Sequence, residues 1–193
     1  YRNTSTLTDG SAPPPPRGAD QLPHKRDALA AGHIDEHAVY PKGGTVSLPE
    51  RFPLDEEAGF FVGAFLAEGN CTDHYVSISN VDETFQGRVR AFADRFDLSV
   101  NEYANDSGFA EGYDVRVNGT VLAEFLRAAC YEDGAKTGPD FAYGATEDFV
   151  SGLLAGYFSG DGNVADRAVR ASSTDDSLIE GISLLLTRTG VYA

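Results

Sequence analysis

Acidic residues end two apolar stretches of this chain that share one pattern of small residues. Glu68 ends GFFVGAFLAE and Asp161 ends GLLAGYFSGD. If both stretches are helices that run side by side in one direction, the two carboxylates emerge at the same end. Like charges held close together are unfavourable unless a cation lies between them. Carboxylates with exposed carbonyls and water suit a hard divalent ion, so the pattern predicts a Mg²⁺ site.

Each acid also has a simpler interpretation. Glu68 alone is consistent with a surface residue at a helix C-terminus, and Asp161 alone with a turn former before Gly162. A carboxylate at a helix C-terminus opposes the helix dipole, so placing two there is costly without a metal. The equivalent position of both acids favours a functional pair.

The small residues stand four apart, which places them on one helix face. They are Gly59, Gly63 and Ala67 in the first stretch and Gly152, Gly156 and Gly160 in the second. Each helical glycine costs roughly 1 kcal/mol relative to alanine, and close approach of another helix compensates for that cost. We therefore predict that the two helices pack face to face across a pseudo-twofold axis.

An internal repeat connects the two stretches. At a constant shift of 93 positions, Gly69 aligns with Gly162, Asp82 with Asp175 and Arg95 with Arg188. Repeats are a strong signal of domain organisation. The second copy corresponds only to the first half of the unit, so we expect the whole protein to be longer.

The elements around the first stretch follow from capping residues and hydrophobic periodicity. We predict a helix from the Asp55 cap to about Ala67, a strand over 74–80, a helix from Asp82 to about Phe96, a strand pair over 98–103 and 112–119, and a helix over 120–131. A loop over 133–144 then leads to a helix capped by Thr146.

Residues 1–50 differ from the rest of the chain. SAPPPPRGADQLP is predicted to be an extended linker, and DALAAGHIDEHAV a short helix. His24, His33 and His37 lie close together in sequence, yet without a cysteine or carboxylate signature solvated histidines are favoured over a metal site. Three segments result: 1–50 as a linker or remnant, 51–145 as the first repeat and 146–193 as the second.

The composition bears on the cellular location of the protein and on the partners that it can bind. The net charge is -15, with three lysines among 15 cationic residues, a balance similar to that of proteins from salt-loving archaea. Phosphate binding usually requires a basic face, so the charge alone argues against a nucleic-acid partner. No apolar run reaches the length of a membrane span, and we predict a cytoplasmic protein whose two cysteines are thiols.

FVGAFLAEG and LLAGYFSGDG resemble the two signature motifs of the LAGLIDADG (DOD-type) homing endonucleases, especially those carried by inteins. The resemblance covers about residues 52–193. It implies an α+β fold of tandem αββαββα repeats, with the two motif helices at a pseudo-twofold interface and antiparallel sheets that bind DNA. It also implies a pseudo-symmetric monomer within an intein precursor that cuts both strands of DNA at a long recognition site.

The resemblance further implies roles for individual residues. Glu68 and Asp161 would be the catalytic acids that bind Mg²⁺, with the carbonyls of Ala67 and Gly160 as further ligands. Lys136 and Pro139 match a Lys-x-Ile-Pro segment of the intein branch, whose lysine polarises the phosphate or the attacking water. Gly138 stands where isoleucine is usual, and a plain loop lysine stays an alternative for Lys136.

Arg116, Arg167 and Arg170 are candidates for DNA contact, against the alternative of surface arginines without a special role. Acidic residues on the faces away from DNA are compatible with a locally basic face that contacts DNA. We expect contacts to base edges to carry more of the DNA-binding affinity than usual. Two other functions stay open: a degenerate, non-cleaving module that binds nucleic acid, and an element that serves mainly protein splicing.

Overall fold

A computed structural model describes residues 21–23, 33–34, 37–42, 44–106, 111–165 and 168–192 of the chain. In these ranges the strands are β1 (Gln21–Pro23), β2 (His33–Ile34), β3 (Ala38–Tyr40), β4 (Leu48–Pro49), β5 (Arg51–Pro53), β6 (Gly69–Cys71), β7 (Tyr75–Asn80), β8 (Val100–Asp106), β9 (Glu111–Asn118), β10 (Tyr131–Glu132), β11 (Ala135–Lys136), β12 (Asn163–Ala165) and β13 (Ala168–Arg170). The helices are α1 (Glu56–Glu68), α2 (Glu83–Arg95), α3 (Thr120–Cys130), α4 (Glu147–Asp161) and α5 (Asp176–Arg188), with a 3₁₀ turn at Asp140–Gly144.

The first repeat has the order α1-β6-β7-α2-β8-β9-α3, as the family resemblance implies, whereas the residue pattern alone predicted one strand between α1 and α2 and missed the short β6. Its four strands form an antiparallel sheet in the order β6-β7-β9-β8. Alternate residues such as Val76, Ile78, Val115 and Val117 are fully buried or nearly so on one side of the sheet, where the helices pack. The opposite side carries polar residues, as period-two alternation requires.

Capping residues begin the helices where the sequence predicts. The side chains of Asp55 and Asp82 accept hydrogen bonds from Ala58 N at 3.0 Å and from Phe85 N at 2.8 Å. Thr146 Oγ1 accepts from Phe149 N at 3.1 Å and begins α4 in the same way. Each bond satisfies a main-chain donor that the first helical turn leaves free.

The α1 and α4 helices touch through their backbones. A Cβ added to Gly63 would stand 2.8 Å from Tyr157 N, and one added to Gly156 would stand 2.8 Å from Ala64 N. Gly59 and Gly152 make the same kind of approach at the start of the pair, to Leu153 N and to Glu56, respectively. The contacts advance along both helices together, so α1 and α4 run in the same direction.

The second repeat consists, in the residues described, of α4-β12-β13-α5. Both α4 and α5 end 93 positions after α1 and α2, as the repeat predicts. Val169 is 57% exposed, whereas its counterpart Val76, on β7 beside β9, is 0% exposed. Val191 is 52% exposed, whereas its counterpart Leu98 is 3% exposed. In the second repeat, the described residues therefore leave open positions that β8, β9 and α3 cover in the first.

The segment before α1 contains strands in place of the short helix predicted over 27–39. Within the described part of that range, β2 and β3 pair with each other, and β3 also pairs with β4. Val39, Leu48 and Phe52 are buried in the common core. Pairing and burial of a β-branched residue outweigh the local helix pattern here. Residues 1–20 and 24–32, with His24, lie outside the described residues.

We expect Gly63→Ala to destabilise the protein by roughly 1–3 kcal/mol or more, because its Cβ overlaps the backbone of α4. Gly87→Ala is the matched control, since Gly87 lies inside α2 and no atom of the described residues would stand within 4 Å of the added Cβ. That control should gain about 0.5–1 kcal/mol from helix propensity. Urea unfolding followed by circular dichroism measures both. Equal effects of the two substitutions would contradict the backbone contact.

Candidate functional site

The shared direction of α1 and α4 brings their terminal acids to one end of the helix pair. A Cβ added to Gly160 would stand 2.6 Å from Ala67 Cβ and 3.0 Å from Glu68 Cγ. Glu68 and Asp161 are the last residues of their helices, and both are partly buried. The last carbonyls of each helix, including those of Ala67 and Gly160, lie at the same end and lack intrahelical partners.

The two carboxylates are electrostatically unfavourable where they stand. Burial raises the pKa of Glu68, the negative charge of Asp161 raises it further, and Lys136 opposes the shift. Burial also raises the pKa of Asp161, again against the effect of Lys136. In both cases the loss of hydration outweighs the nearby ammonium group. Added positive charge at this end of the helices would therefore be stabilising.

Lys136 lies in the β10–β11 hairpin and reaches the end of α1. Its Nζ donates to the main-chain oxygens of Phe65 and Leu66, both at 3.0 Å. A cation at a helix C-terminus is favourable because it meets the negative end of the dipole. Burial lowers the pKa of Lys136, although Asp161 and Glu68 favour its charged form. The structure thus brings together the three residues predicted to carry the chemistry.

The backbone of Lys136 is held by the start of α5, which sequence reasoning missed. Asp175 Oδ2 accepts from Lys136 N at 3.2 Å, and Ser177 Oγ donates to Lys136 O at 3.4 Å. Asp82, the counterpart of Asp175, caps its own helix, whereas Asp175 makes no such capping bond. The repeat alignment identified Asp175, but only the fold shows which donor it meets.

The turn of the β10–β11 hairpin has a signal in the sequence, the pair Asp133-Gly134. Asp133 and Gly134 both adopt positive φ, at 50° and 87°. An Asp-Gly pair in this conformation forms a two-residue turn of the type that suits β-hairpins. The predicted loop over 133–144 therefore begins with a hairpin that aims Lys136 at α1.

A cleft of about 400 Å³ opens beside these groups. Its lining includes Ala67, Lys136, Asp161 and Asp175, together with the segment 172–174 between β13 and α5. Among the described residues, no three His, Cys, Asp or Glu side chains cluster as a metal site. Two carboxylates fit a hard divalent ion only if main-chain carbonyls, water or substrate oxygens complete its coordination.

Two of the three candidate DNA-contact arginines lie on described strands. Arg116 is at the centre of the polar face of the first sheet, opposite Ser77 on β7 and Asn101 on β8. Arg170 is exposed on β13, at the position equivalent to Ser77. Arg167 lies outside the described residues.

Two further expectations concern the cysteines and membranes. Cys71 and Cys130 are free thiols, and burial raises the pKa of Cys130 to about 12. In the part of the chain that the structure describes, no helix is long and apolar enough to cross a bilayer.

Comparison with known proteins finds a family model that matches part of the chain and a much longer relative. Residues 148–193 match the model of the LAGLIDADG-like domain family. The DNA-directed RNA polymerase subunit Rpo1C of Methanocaldococcus jannaschii is 45% identical over 157 residues, which cover 80% of this chain but 18% of that protein. The chain therefore spans less than a fifth of that relative.

Solved structures share the fold at low identity. Mesophilic variants of the homing endonuclease I-DmoI give a TM-score of 0.56 at 13% identity, covering 72% of this chain and 79% of that one. I-DmoI in complex with DNA and Mn gives a TM-score of 0.54 at 12% identity, over 72% and 80% of the two chains.

We expect Glu68→Gln to stabilise the metal-free protein at pH 7. A carboxyl group whose pKa is raised on folding favours the folded state at low pH, and that contribution is lost as pH rises through the raised pKa. The gain should therefore shrink towards about pH 3, where the wild-type group is protonated. Thermal unfolding in EDTA at several pH values measures it. The exposed control Glu180→Gln, which lies inside α5 away from its C-terminus, should show no such gain, and a less stable Glu68→Gln variant at pH 7 would contradict the inference.

Proposed function

The chain has the LAGLIDADG homing endonuclease fold, with a LAGLIDADG-like domain at residues 148–193, and on this premise we propose that it is the endonuclease part of an intein. The proposed activity is site-specific hydrolysis of both strands of duplex DNA with Mg²⁺. One observation supports it most: two parallel helices place Glu68 and Asp161 at one end, where both are partly buried and their pKa values are raised.

The residues of the site have distinct proposed tasks. Glu68 and Asp161, with the carbonyls of Ala67 and Gly160, would hold divalent metal ions and orient water, one acid for each strand. A bound divalent cation activates water and stabilises charge on a phosphate. Lys136 would contribute a positive charge beside the reacting phosphate. Its hydrogen bonds to the end of α1 fix that charge relative to both acids.

The polar face of the first sheet is the proposed DNA surface. Its described residues include one acid and one base, Asp114 and Arg116, which form an ion pair at 3.5 Å. The other positions carry hydroxyl, amide or tyrosine side chains such as Ser79, Asn101 and Asn118. A face without net charge can approach DNA even though the whole chain carries -15. Such side chains suit contacts to base edges.

The proposed intein origin rests on the relative and the fold together. A segment with an endonuclease fold matches 18% of a protein named as an RNA polymerase subunit. Polymerase subunits have no evident need for such a domain, whereas an intein carries one inside a host protein. We therefore propose a coding sequence for this kind of subunit, uninterrupted by the insert, as the DNA target. Residues 1–50 would link the endonuclease to the splicing region.

We expect Mg²⁺ or Mn²⁺ at saturating concentration to raise the melting temperature of the chain by roughly 2–6 °C, because metal binds only the folded state. Glu68→Gln and Asp161→Asn should abolish most of this shift. The exposed control Asp94→Asn, which removes the same charge from α2, should keep it. An undiminished shift in both site variants would contradict the metal site.

Cleavage tests the activity itself. The intein-containing precursor should make a staggered cut in the uninterrupted subunit gene, and Glu68→Gln or Asp161→Asn should reduce the cut to background. The 193-residue chain alone should cut poorly, since Val169 and Val191 lie exposed where the first repeat has a completed sheet and helix. A precursor that binds the gene but never cuts it would favour the non-cleaving module. Robust, specific cutting by the chain alone would contradict the prediction that these exposed positions must be covered for cleavage.

DNA binding should depend weakly on salt. Each phosphate contact adds about 0.9 to the slope of log K against log salt concentration, and the three candidate arginines give a slope no steeper than about -3. Fluorescence anisotropy with a duplex from the uninterrupted gene, titrated across potassium chloride concentrations, measures the slope. A much steeper loss would mean that phosphate contacts dominate and would contradict recognition by a neutral face.

A further inference from the structure

Arg116 is held between aromatic rings at the centre of the polar face. Its guanidinium carbon lies 4.1 Å from the centre of the Tyr103 ring and 5.2 Å from that of Tyr75. Tyr103 belongs to β8 and Tyr75 to β7, the strands on either side of the strand that carries Arg116. Stacking on aromatic faces restricts the arginine, so less conformational entropy is lost when it binds a ligand.

Polar contacts orient the same guanidinium. Its Nη2 lies 3.5 Å from Asp114 Oδ2, and Asp114 also accepts a hydrogen bond from Ser79 Oγ. The Nε atom is buried and has no hydrogen-bond partner among the described residues. The side chain is still 32% exposed, so any exposed nitrogen of Arg116 is one of its two terminal ones. Tyr103, Tyr75 and Asp114 thus contact the guanidinium, and the donors that can face a ligand are its terminal nitrogens.

The surroundings of the Arg116 guanidinium distinguish a contact to a base from a contact to a phosphate. Lysine and arginine residues that bind phosphates require only charge, and flexible side chains suffice. Arg116 is packed against two tyrosine rings, paired with an acid, and surrounded by uncharged groups of Ser77, Asn101 and Asn118. In the major groove, guanine presents two acceptors, O6 and N7, that match two arginine donors, and no other base presents that pair.

We propose that Arg116 is a specificity-determining residue that reads one guanine in the major groove of the target. This inference rests on the proposed function, since it requires that the chain bind duplex DNA. Tyr75, Tyr103 and Asp114 act as positioning residues that hold the guanidinium in the plane of the base. Replacing that guanine should weaken binding roughly 5- to 150-fold, the range for one bidentate contact.

Selection from a randomised duplex pool tests the proposal and requires no defined target sequence. The wild-type chain, Arg116→Lys and Arg116→Gln would each be selected at the same salt concentration, and the enriched pools sequenced. Arg90→Gln is the matched control, because Arg90 pairs with Glu83 and Glu102 on α2 and β8, away from the polar face. We expect an enriched site with one guanine that both Arg116 variants lose, while the other enriched positions persist.

The lysine variant separates base reading from phosphate binding. Lysine keeps the charge but lacks the planar fork, so Arg116→Lys should lose the guanine preference and keep the salt dependence of the wild type. If Arg116 contacts a phosphate, Arg116→Lys keeps every base preference and Arg116→Gln lowers the salt slope by about one. That result would overturn the inference and leave the proposed function intact. Failure of the wild-type chain to enrich any sequence would overturn both.

Discussion

The contact between the backbones of α1 and α4 is the constraint on which the site depends. Glycines at Gly59, Gly63, Gly152 and Gly156 allow an approach that any side chain would block. Because the contacts advance in the same direction, the C-termini of both helices meet. The negative ends of two helix dipoles and two carboxylates therefore lie close together, and this arrangement is electrostatically unfavourable. The packing energy of the helix pair sustains this unfavourable charge, which a bound cation would relieve.

Other elements of the fold hold Lys136 at this end of the helix pair. The Asp133–Gly134 turn directs the hairpin towards α1, and the start of α5 holds the backbone of Lys136 through Asp175 and Ser177. Elements from both repeats therefore fix one ammonium group beside both acids. A single positive charge does not balance two carboxylates, and this residual charge is consistent with the raised pKa values of Glu68 and Asp161.

The chain carries a net charge of -15, yet the proposed DNA partner is compatible with it because charged side chains are unevenly distributed over the surface. Arginines of α2 pair with acids around them: Arg88 with Glu56, Arg90 with Glu83 and Glu102, and Arg95 with Asp55 and Glu57. The polar face of the first sheet, in its described part, combines one arginine and one aspartate in contact with each other. The recognition proposed for this face would depend on the direction of hydrogen bonds more than on net charge, and salt screens such contacts less than it screens charge attraction.

The sequence by itself determined the helices, the repeat and the pair of acids, because caps, glycine spacing and a constant shift of 93 positions are local or periodic signals. It did not predict that β2 and β3 replace a helix, since their pairing with β4 depends on partners distant in sequence. Nor could it show that the Asp175 side chain accepts a hydrogen bond from Lys136 N in place of capping α5. The positions of Tyr75 and Tyr103 beside Arg116 were equally out of its reach. These features depend on which surfaces meet, and only the tertiary structure decides that.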